Sequence, residues 1–131
     1  MFCQAGDSCG GVAMKRVMIV EDHSAFAQAL ELVLEKVDGT EVALARTLEE
    51  GRGLIQNGGP FDLVVLDLTL PDGEGTDLVT EIRQRHPETP IAVLSARDDV
   101  EEAAAKAGAD AAIPKETPLP EIISSFRRLA E

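Results

Sequence analysis

The chain of 131 residues contains no tryptophan and no tyrosine, and aromatic residues make up only 3% of it. Hydrophobic residues still make up 44%, so the chain can build a core, and that core must be aliphatic. Cys3 and Cys9 lie in a glycine-rich, polar segment with no nearby histidine or second cysteine pair, which favours reduced thiols over a metal site. The pattern predicts a flexible leader over residues 1–14 and a single domain over residues 15–131.

Basic residues are also few. Lysine and arginine number 12 against 24 aspartates and glutamates, for a formal net charge of −12. Nucleic-acid affinity depends largely on basic side chains that contact phosphates, so this domain by itself is expected to bind nucleic acid poorly. No apolar stretch is long enough to span a bilayer, and the N-terminus lacks the charged and apolar regions of a signal peptide. We therefore expect no membrane association and a cytoplasmic location.

The chain does contain a regular alternation of strand-like and helix-like segments from Lys15 onward. Such alternation indicates a parallel sheet with helices on both faces. Five units in this length predict an α/β fold, a doubly wound, five-stranded parallel sheet of order 2-1-3-4-5 in a flavodoxin-like three-layer sandwich. The predicted strands cover residues 16–20, 41–45, 62–66, 91–94 and 111–114, and the predicted helices cover 24–36, 47–57, 76–85, 99–107 and 119–130.

The first and fifth predicted helices carry apolar residues at helical spacing, so one face of each is expected to be buried. The second helix is expected to begin at a capping box formed by Thr47 and Glu50. The residues predicted to face the core are Phe26, Leu30, Val33, Leu34 and Val37 in the first helix and Ile122, Ile123, Phe126 and Leu129 in the fifth.

Reactive side chains follow four of the predicted strands. Glu21 and Asp22 follow the first strand, Asp67 the third, Ser95 the fourth and Lys115 the fifth. Ligands of open α/β sheets bind outside the carboxyl ends of the strands. Taken singly, each residue has a structural interpretation, such as a helix cap or a surface charge. Together they predict a functional site at one edge of the sheet.

The chemistry of this set points to a metal ion and a phosphoryl group. Clustered carboxylates repel one another, and a bound Mg²⁺ or Mn²⁺ ion, which prefers oxygen ligands, would offset this repulsion. A carboxylate beside such a metal can attack phosphorus and form an acyl phosphate. Lys115 and the Ser95 hydroxyl can then stabilise the phosphoryl oxygens, together with the backbone N–H groups of Leu68 and Ala96.

Four short motifs carry a family resemblance that runs from Lys15 to about Ala130. They are Ile19-Val20-Glu21-Asp22, Leu66-Asp67-Leu68-Thr69-Leu70-Pro71 with Gly75, Leu94-Ser95-Ala96, and Gly108-Ala109-Asp110 leading to Lys115. In this order and spacing the chain resembles the CheY-like receiver domains of two-component response regulators. Asp22-His23 with Phe26, and Ile113-Pro114-Lys115, resemble the NarL/LuxR branch, whose members usually carry a C-terminal helix-turn-helix.

The resemblance implies a role for each site residue. Asp67 matches the phosphoacceptor, and Glu21, Asp22, Asp67 and the backbone carbonyl of Thr69 match the Mg²⁺ ligands. Ser95 matches the hydroxyl switch, and the residue matching the invariant lysine is Lys115.

The resemblance also implies partners and an output. The implied phosphoryl donor is a histidine kinase or phosphotransfer protein, and homodimerisation can follow phosphorylation. An output domain or partner, expected to regulate transcription, would be reached through the helix 4–strand 5–helix 5 face. The domain would be no enzyme beyond its own phosphotransfer and dephosphorylation.

The chain departs from the family pattern at two positions. Ala112 stands where a tyrosine or phenylalanine is frequent in the family, so this position has no ring that could turn inward and couple to Ser95. Glu116 follows Lys115 where the family often has a proline after a cis bond, and a cis bond to a non-proline residue costs about 2.5–4 kcal/mol. Arg97, at a position that tunes phosphoryl lifetime in the family together with Thr69, is either exposed or close to the phosphoryl group.

Three other functions use similar features. A haloacid-dehalogenase-type phosphatase also has a strand-end aspartate nucleophile and Mg²⁺, but it needs a second aspartate where this chain has Thr69, and it usually needs a cap domain. A flavodoxin-like cofactor binder needs a phosphate loop where Glu21 and Asp22 would repel phosphate. A degenerate, unphosphorylated interaction module would not need the intact acceptor set.

Overall fold

A computed structural model of the protein describes residues 14–131. The predicted leader, with both cysteines, lies outside the described residues except for Met14. No helix in the described range is both long and apolar enough to cross a membrane. The elements in chain order are β1 Arg16–Val20, α1 Ser24–Asp38, β2 Glu41–Ala45, α2 Leu48–Asn57, β3 Leu63–Leu66, β4 Thr69–Leu70, β5 Gly73–Glu74, α3 Gly75–Arg85, β6 Ile91–Ser95, α4 Val100–Ala107, β7 Ala111–Pro114 and α5 Leu119–Ala130.

The five long strands form one parallel sheet of order β2-β1-β3-β6-β7. Counted among these five strands alone, this is the predicted order 2-1-3-4-5, and the predicted fold class is confirmed. The central strands β3 and β6 are apolar at every position except the final Ser95, and all of their residues are buried. That composition is expected of parallel strands covered by helices on both faces.

Alternation along the strands divides the core into two clusters, because successive side chains point to opposite faces of a sheet. Met18, Val64 and their alternate neighbours face α2, α3 and α4. Ile19, Val65 and their alternate neighbours face α1 and α5, and Phe126 of α5 is fully buried in that layer. With few aromatics, valine, leucine and isoleucine fill most of both clusters, as the composition predicts.

The prediction that Val37 faces the core is wrong. Its side chain is 68% exposed, while the buried positions of α1 are Ala27, Leu30 and Leu34. Val37 lies in the last turn of a helix that ends at the left-handed residue Gly39, and the inward stripe ends one turn earlier. The other predicted core positions of α1 and α5 are buried or half-buried: Phe26, Leu30, Val33, Leu34, Ile122, Ile123, Phe126 and Leu129.

The segment between β3 and α3 forms a short hairpin. β4 pairs antiparallel with β5, and Pro71 and Asp72 form the connection between them. The Asp72 carboxylate accepts hydrogen bonds from the backbone N–H groups of Leu48 at 2.8 Å and Glu49 at 3.1 Å. The hairpin therefore caps the N-terminus of α2, whose first N–H groups have no partner within the helix.

The predicted capping box of α2 is half formed. Thr47 Oγ1 accepts the backbone N–H of Glu50 at 3.1 Å, as expected of an N-cap threonine. The Glu50 carboxylate accepts the N–H of Arg46, one residue before the cap, at 2.8 Å. The reciprocal bond, from the Thr47 N–H to Glu50, is therefore not formed, and Asp72 of the hairpin accepts the N–H groups of Leu48 and Glu49 instead.

We expect the Asp72 cap to fail in acid. The hydrogen bond from the Leu48 N–H, followed by that from Glu49, lowers the pKa of Asp72. A carboxylate with a lowered folded-state pKa stabilises the fold above the ordinary value near pH 4 and loses that effect as the pH falls through the folded-state pKa. Asp72→Asn should therefore lower the urea midpoint at pH 7, with a smaller difference from wild type at about pH 3.

The matched control is Asp98→Asn, which removes the same charge from an exposed aspartate that has no hydrogen-bond partner among the described residues. It should leave the midpoint nearly unchanged at pH 7. If the difference in urea midpoint between wild type and Asp72→Asn stays constant down to about pH 3, the charge of Asp72 does not contribute to the cap.

Candidate functional site

The predicted site residues meet at the carboxyl edge of the sheet. β1 and β3 are neighbours, with Val20 paired to Leu66, so Glu21 and Asp67 leave the sheet side by side. Ser95 ends β6, and its backbone carbonyl accepts the N–H of Lys115 at 3.0 Å. The strand order alone thus brings residues separated by up to 94 positions to one edge.

Three carboxylates form the acidic part of this edge. One oxygen each from Glu21, Asp22 and Asp67 lies within 4.8 Å of the others. Glu21 and Asp67 are buried, at 4% and 6% exposure, and Asp22 is exposed. The cluster is therefore closed on the protein side and open to solvent through Asp22.

Lys115 joins the two buried carboxylates. Its Nζ lies 2.8 Å from Glu21 Oε1 and 2.8 Å from Asp67 Oδ2. The second oxygen of each carboxylate accepts a backbone N–H two residues further on, from His23 to Glu21 at 3.0 Å and from Thr69 to Asp67 at 3.1 Å. Both acids thus make the same pair of contacts, one ammonium and one amide.

Burial and the ion pairs act in opposition on the pKa values of Glu21 and Lys115. Burial raises the pKa of Glu21, although the bonds from Lys115 and the His23 amide oppose it, and repulsion by Asp67 adds to the rise. For Lys115 burial acts to lower the pKa, but the hydrogen bonds to Asp67 and Glu21 together outweigh it and the pKa is raised. The raised pKa holds the Lys115 ammonium in its charged form between the two carboxylates.

Hydrogen-bond donors lie at the carboxyl ends of β3 and β6. Ser95 is 1% exposed, and its Oγ accepts the backbone N–H of Arg97 at 3.2 Å, which leaves its own hydrogen available. Within the described part of the chain, the N–H groups of Leu68 and Ala96 donate to no protein acceptor. These are the donors that the sequence predicts for a phosphoryl group.

Arg97 is half-buried, and a position close to the phosphoryl group stays a prediction. Its guanidinium binds Asp99 through Nε at 3.0 Å and Nη2 at 2.8 Å, and Glu74 through Nη1 at 2.7 Å. It therefore ties the loop after Ser95 to the hairpin after Asp67. Sequence reasoning missed this link, and no periodicity relates Arg97 to Glu74, 23 positions away.

The remaining predicted residues lie at or near the same edge. Thr69 is exposed and opens β4, where it pairs with Glu74; its role as a carbonyl ligand stays a prediction. His23 holds the N-cap position of α1, but its side chain makes no capping hydrogen bond. Ala112 is half-buried against the α2–α3–α4 cluster. The bond from Lys115 to Glu116 is trans.

The fold and the residues at its carboxyl edge define a doubly wound α/β domain of the CheY-like class. The Response regulator receiver domain family matches residues 17–127, and the chain belongs to this family. A CheY-like response regulator receiver domain protein from Methanospirillum hungatei has a TM-score of 0.82 and 30% identity, covering 89% of this chain and 94% of that one. The match supports the receiver assignment over the phosphatase and cofactor-binding alternatives.

Two curated relatives are longer regulators. Response regulator protein PilR of Pseudomonas aeruginosa is 39% identical over 100 residues, covering 75% of this chain and 22% of PilR. The KDP operon transcriptional regulatory protein KdpE of Escherichia coli is 42% identical over 99 residues, covering 74% of this chain and 43% of KdpE. The chain thus spans less than half the length of these relatives, and the NarL/LuxR branch stays a prediction.

Gly75 fixes the position of Asp67, and we expect its replacement to be costly. A Cβ at Gly75 would lie 2.0 Å from the Asp67 carbonyl oxygen and 2.9 Å from Leu66 Cδ1. Gly75→Ala must push the Asp67 peptide away and should lower the free energy of unfolding by about 1–3 kcal/mol. Urea denaturation measures this change.

The control is Gly53→Ala in the middle of α2, where an added Cβ has no neighbour within 4 Å. That variant should raise the free energy of unfolding by up to about 1 kcal/mol, because alanine favours a helix over glycine. Equal stability of the two variants would contradict the close approach at Gly75.

Proposed function

We propose that residues 15–131 form the phosphoacceptor switch of a two-component system and that Asp67 receives a phosphoryl group from a histidine kinase or phosphotransfer protein. The observation that carries this proposal is the Lys115 ammonium, 2.8 Å from carboxylate oxygens of both Glu21 and Asp67. A cation held at that point can neutralise charge on phosphoryl oxygens attached to Asp67.

The residues divide the reaction among them. An Asp67 oxygen attacks phosphorus and forms the new P–O bond, and the donor atom leaves with the electron pair of the bond that breaks. Lys115 then exchanges a carboxylate contact for a phosphoryl oxygen. The Ser95 hydroxyl and the N–H groups of Leu68 and Ala96 donate to the other oxygens.

The donor set fits a hard divalent cation. Three carboxylates against one ammonium leave two negative charges in the cluster, and oxygen ligands at this spacing suit Mg²⁺ or Mn²⁺. Glu21, Asp22, Asp67 and the Thr69 carbonyl would hold the ion. When bound, it would screen the charge between the acidic cluster and the incoming phosphoryl group.

The output follows from a change of conformation biased by the new charge. Helix α4 buries only Val100 and Ala104, so it is weakly held and suited to move. We propose that the α4–β7–α5 face carries the signal to an output domain or partner, with homodimerisation as one consequence. Transcriptional regulation is proposed by analogy with KdpE, in a cytoplasmic protein whose receiver domain does not itself bind nucleic acid.

The first test is chemical phosphorylation. Wild-type protein incubated with acetyl phosphate and Mg²⁺ should gain the mass of one phosphoryl group, and Asp67→Asn should gain none, because the amide is not a nucleophile toward phosphorus. Asp98→Asn, the same change at an exposed position of the same edge, should be phosphorylated like wild type. No mass gain in the wild type, or a full gain in Asp67→Asn, would overturn the proposal.

The second test is metal binding. Because a ligand that binds only the folded state raises its stability by mass action, Mg²⁺ should raise the melting temperature of the wild type. Asp22→Asn should abolish most of that rise without itself destabilising the chain, because Asp22 is exposed and does not contact Lys115. An equal Mg²⁺ response in wild type and Asp22→Asn would exclude Asp22 as a ligand.

A further inference from the structure

The Lys115 ammonium has a third neighbour besides its two carboxylates. Its Nζ lies 5.2 Å from the centre of the Phe26 ring, which is within the range of an attractive cation–π contact. Phe26 lies in the first turn of α1 and is half-buried against the α1–α5 core cluster. Its ring is therefore fixed by the core on one side and faces the site lysine on the other.

Aromatic rings are rare in this chain, so a ring beside the site lysine is unusual. Of the four phenylalanines, three fall among the described residues. The centre of the Phe61 ring lies 4.7 Å from the guanidinium carbon of Arg16, and Phe126 is fully buried in the core. Within the described chain, Phe26 is thus the one aromatic ring that contacts a charged group of the site.

Lysine needs such a support more than most side chains. Its ammonium ends a flexible four-carbon stem, and holding it in one place costs side-chain entropy. Two of its three N–H donors go to Glu21 and Asp67, and its side chain is 19% exposed. A ring beside the ammonium attracts the charge and excludes water without competing for hydrogen bonds.

We propose that Phe26 is a positioning residue, which holds the Lys115 ammonium at the Glu21–Asp67 pair so that the charge is in place when a phosphoryl group arrives. This inference rests on the proposed function of Asp67. It assigns to helix α1 a part in the reaction, exerted through Lys115 rather than through any contact with phosphate.

Three variants separate the ring from simple packing. Phe26→Leu keeps an apolar side chain but removes the π face, and Phe26→Tyr keeps the ring. Val33→Ala trims a half-buried residue of the same helix away from the lysine and reports the effect of lost packing alone. Melting temperatures check that all three variants fold.

The rate of phosphorylation by acetyl phosphate at saturating Mg²⁺ is the kinetic readout. Phe26→Leu should slow it by about two- to fivefold, whereas Phe26→Tyr and Val33→Ala should stay close to wild type. In a Lys115→Met background Phe26→Leu should have no further effect, because the ring then has no cation to hold. A wild-type rate in Phe26→Leu, or the same fold loss in both backgrounds, would overturn the inference.

A second readout does not depend on phosphorylation. In NMR spectra of the free protein the ε-methylene protons of Lys115 should be shifted by the ring current in wild type and Phe26→Tyr. In Phe26→Leu they should return toward ordinary lysine values, and the Lys115 Cε should become more mobile by carbon relaxation. Unchanged Cε mobility would refute the positioning role even if Asp67 proves to be the phosphoacceptor, and a wild type that is not phosphorylated would refute the proposed function separately.

Discussion

The Lys115 ammonium joins two carboxylates that follow two different strands, and the functional edge of the molecule depends on it. Glu21 follows β1, Asp67 follows β3, and the lysine reaches both from the end of β7. Removing one partner of a buried ion pair leaves an uncompensated charge and is strongly destabilising. The contact exists only because the sheet order places β1 beside β3 and puts β7 two strands from β3. The strand order therefore brings the charged groups together, and their ion pairs in turn stabilise this edge of the sheet.

Around this ion pair, the loops that carry the reactive groups are tied to the scaffold from several directions. Gly75 lets α3 approach the Asp67 carbonyl, Asp72 ties the hairpin to α2, and Arg97 ties it to the loop after Ser95. Helix α4, with a small buried face, is the weakly packed neighbour of these loops. Several contacts therefore hold the acceptor edge, and we propose α4 as the element that moves in a two-state switch.

The parts that could be predicted from the sequence are those that local patterns encode. Apolar runs mark the five long strands, and the residue after each run marks the edge at which Asp67 and Lys115 meet. The exposure of Val37 could not be predicted, because it depends on where α1 ends relative to the sheet. The contacts of Asp72 with α2 and of Arg97 with Glu74 join residues 23 or 24 positions apart, and no periodicity relates such pairs.

Membership of the receiver family and the geometry of the edge support our central proposal that Asp67 accepts the phosphoryl group. Borohydride reduction of the acetyl phosphate-treated protein tests this most directly, because it converts an aspartyl phosphate to homoserine, which tandem mass spectrometry locates in the chain. The account predicts homoserine at position 67 and unmodified aspartate at positions 22 and 72. Homoserine at another position, or none in a sample that has gained a phosphoryl mass, would contradict it.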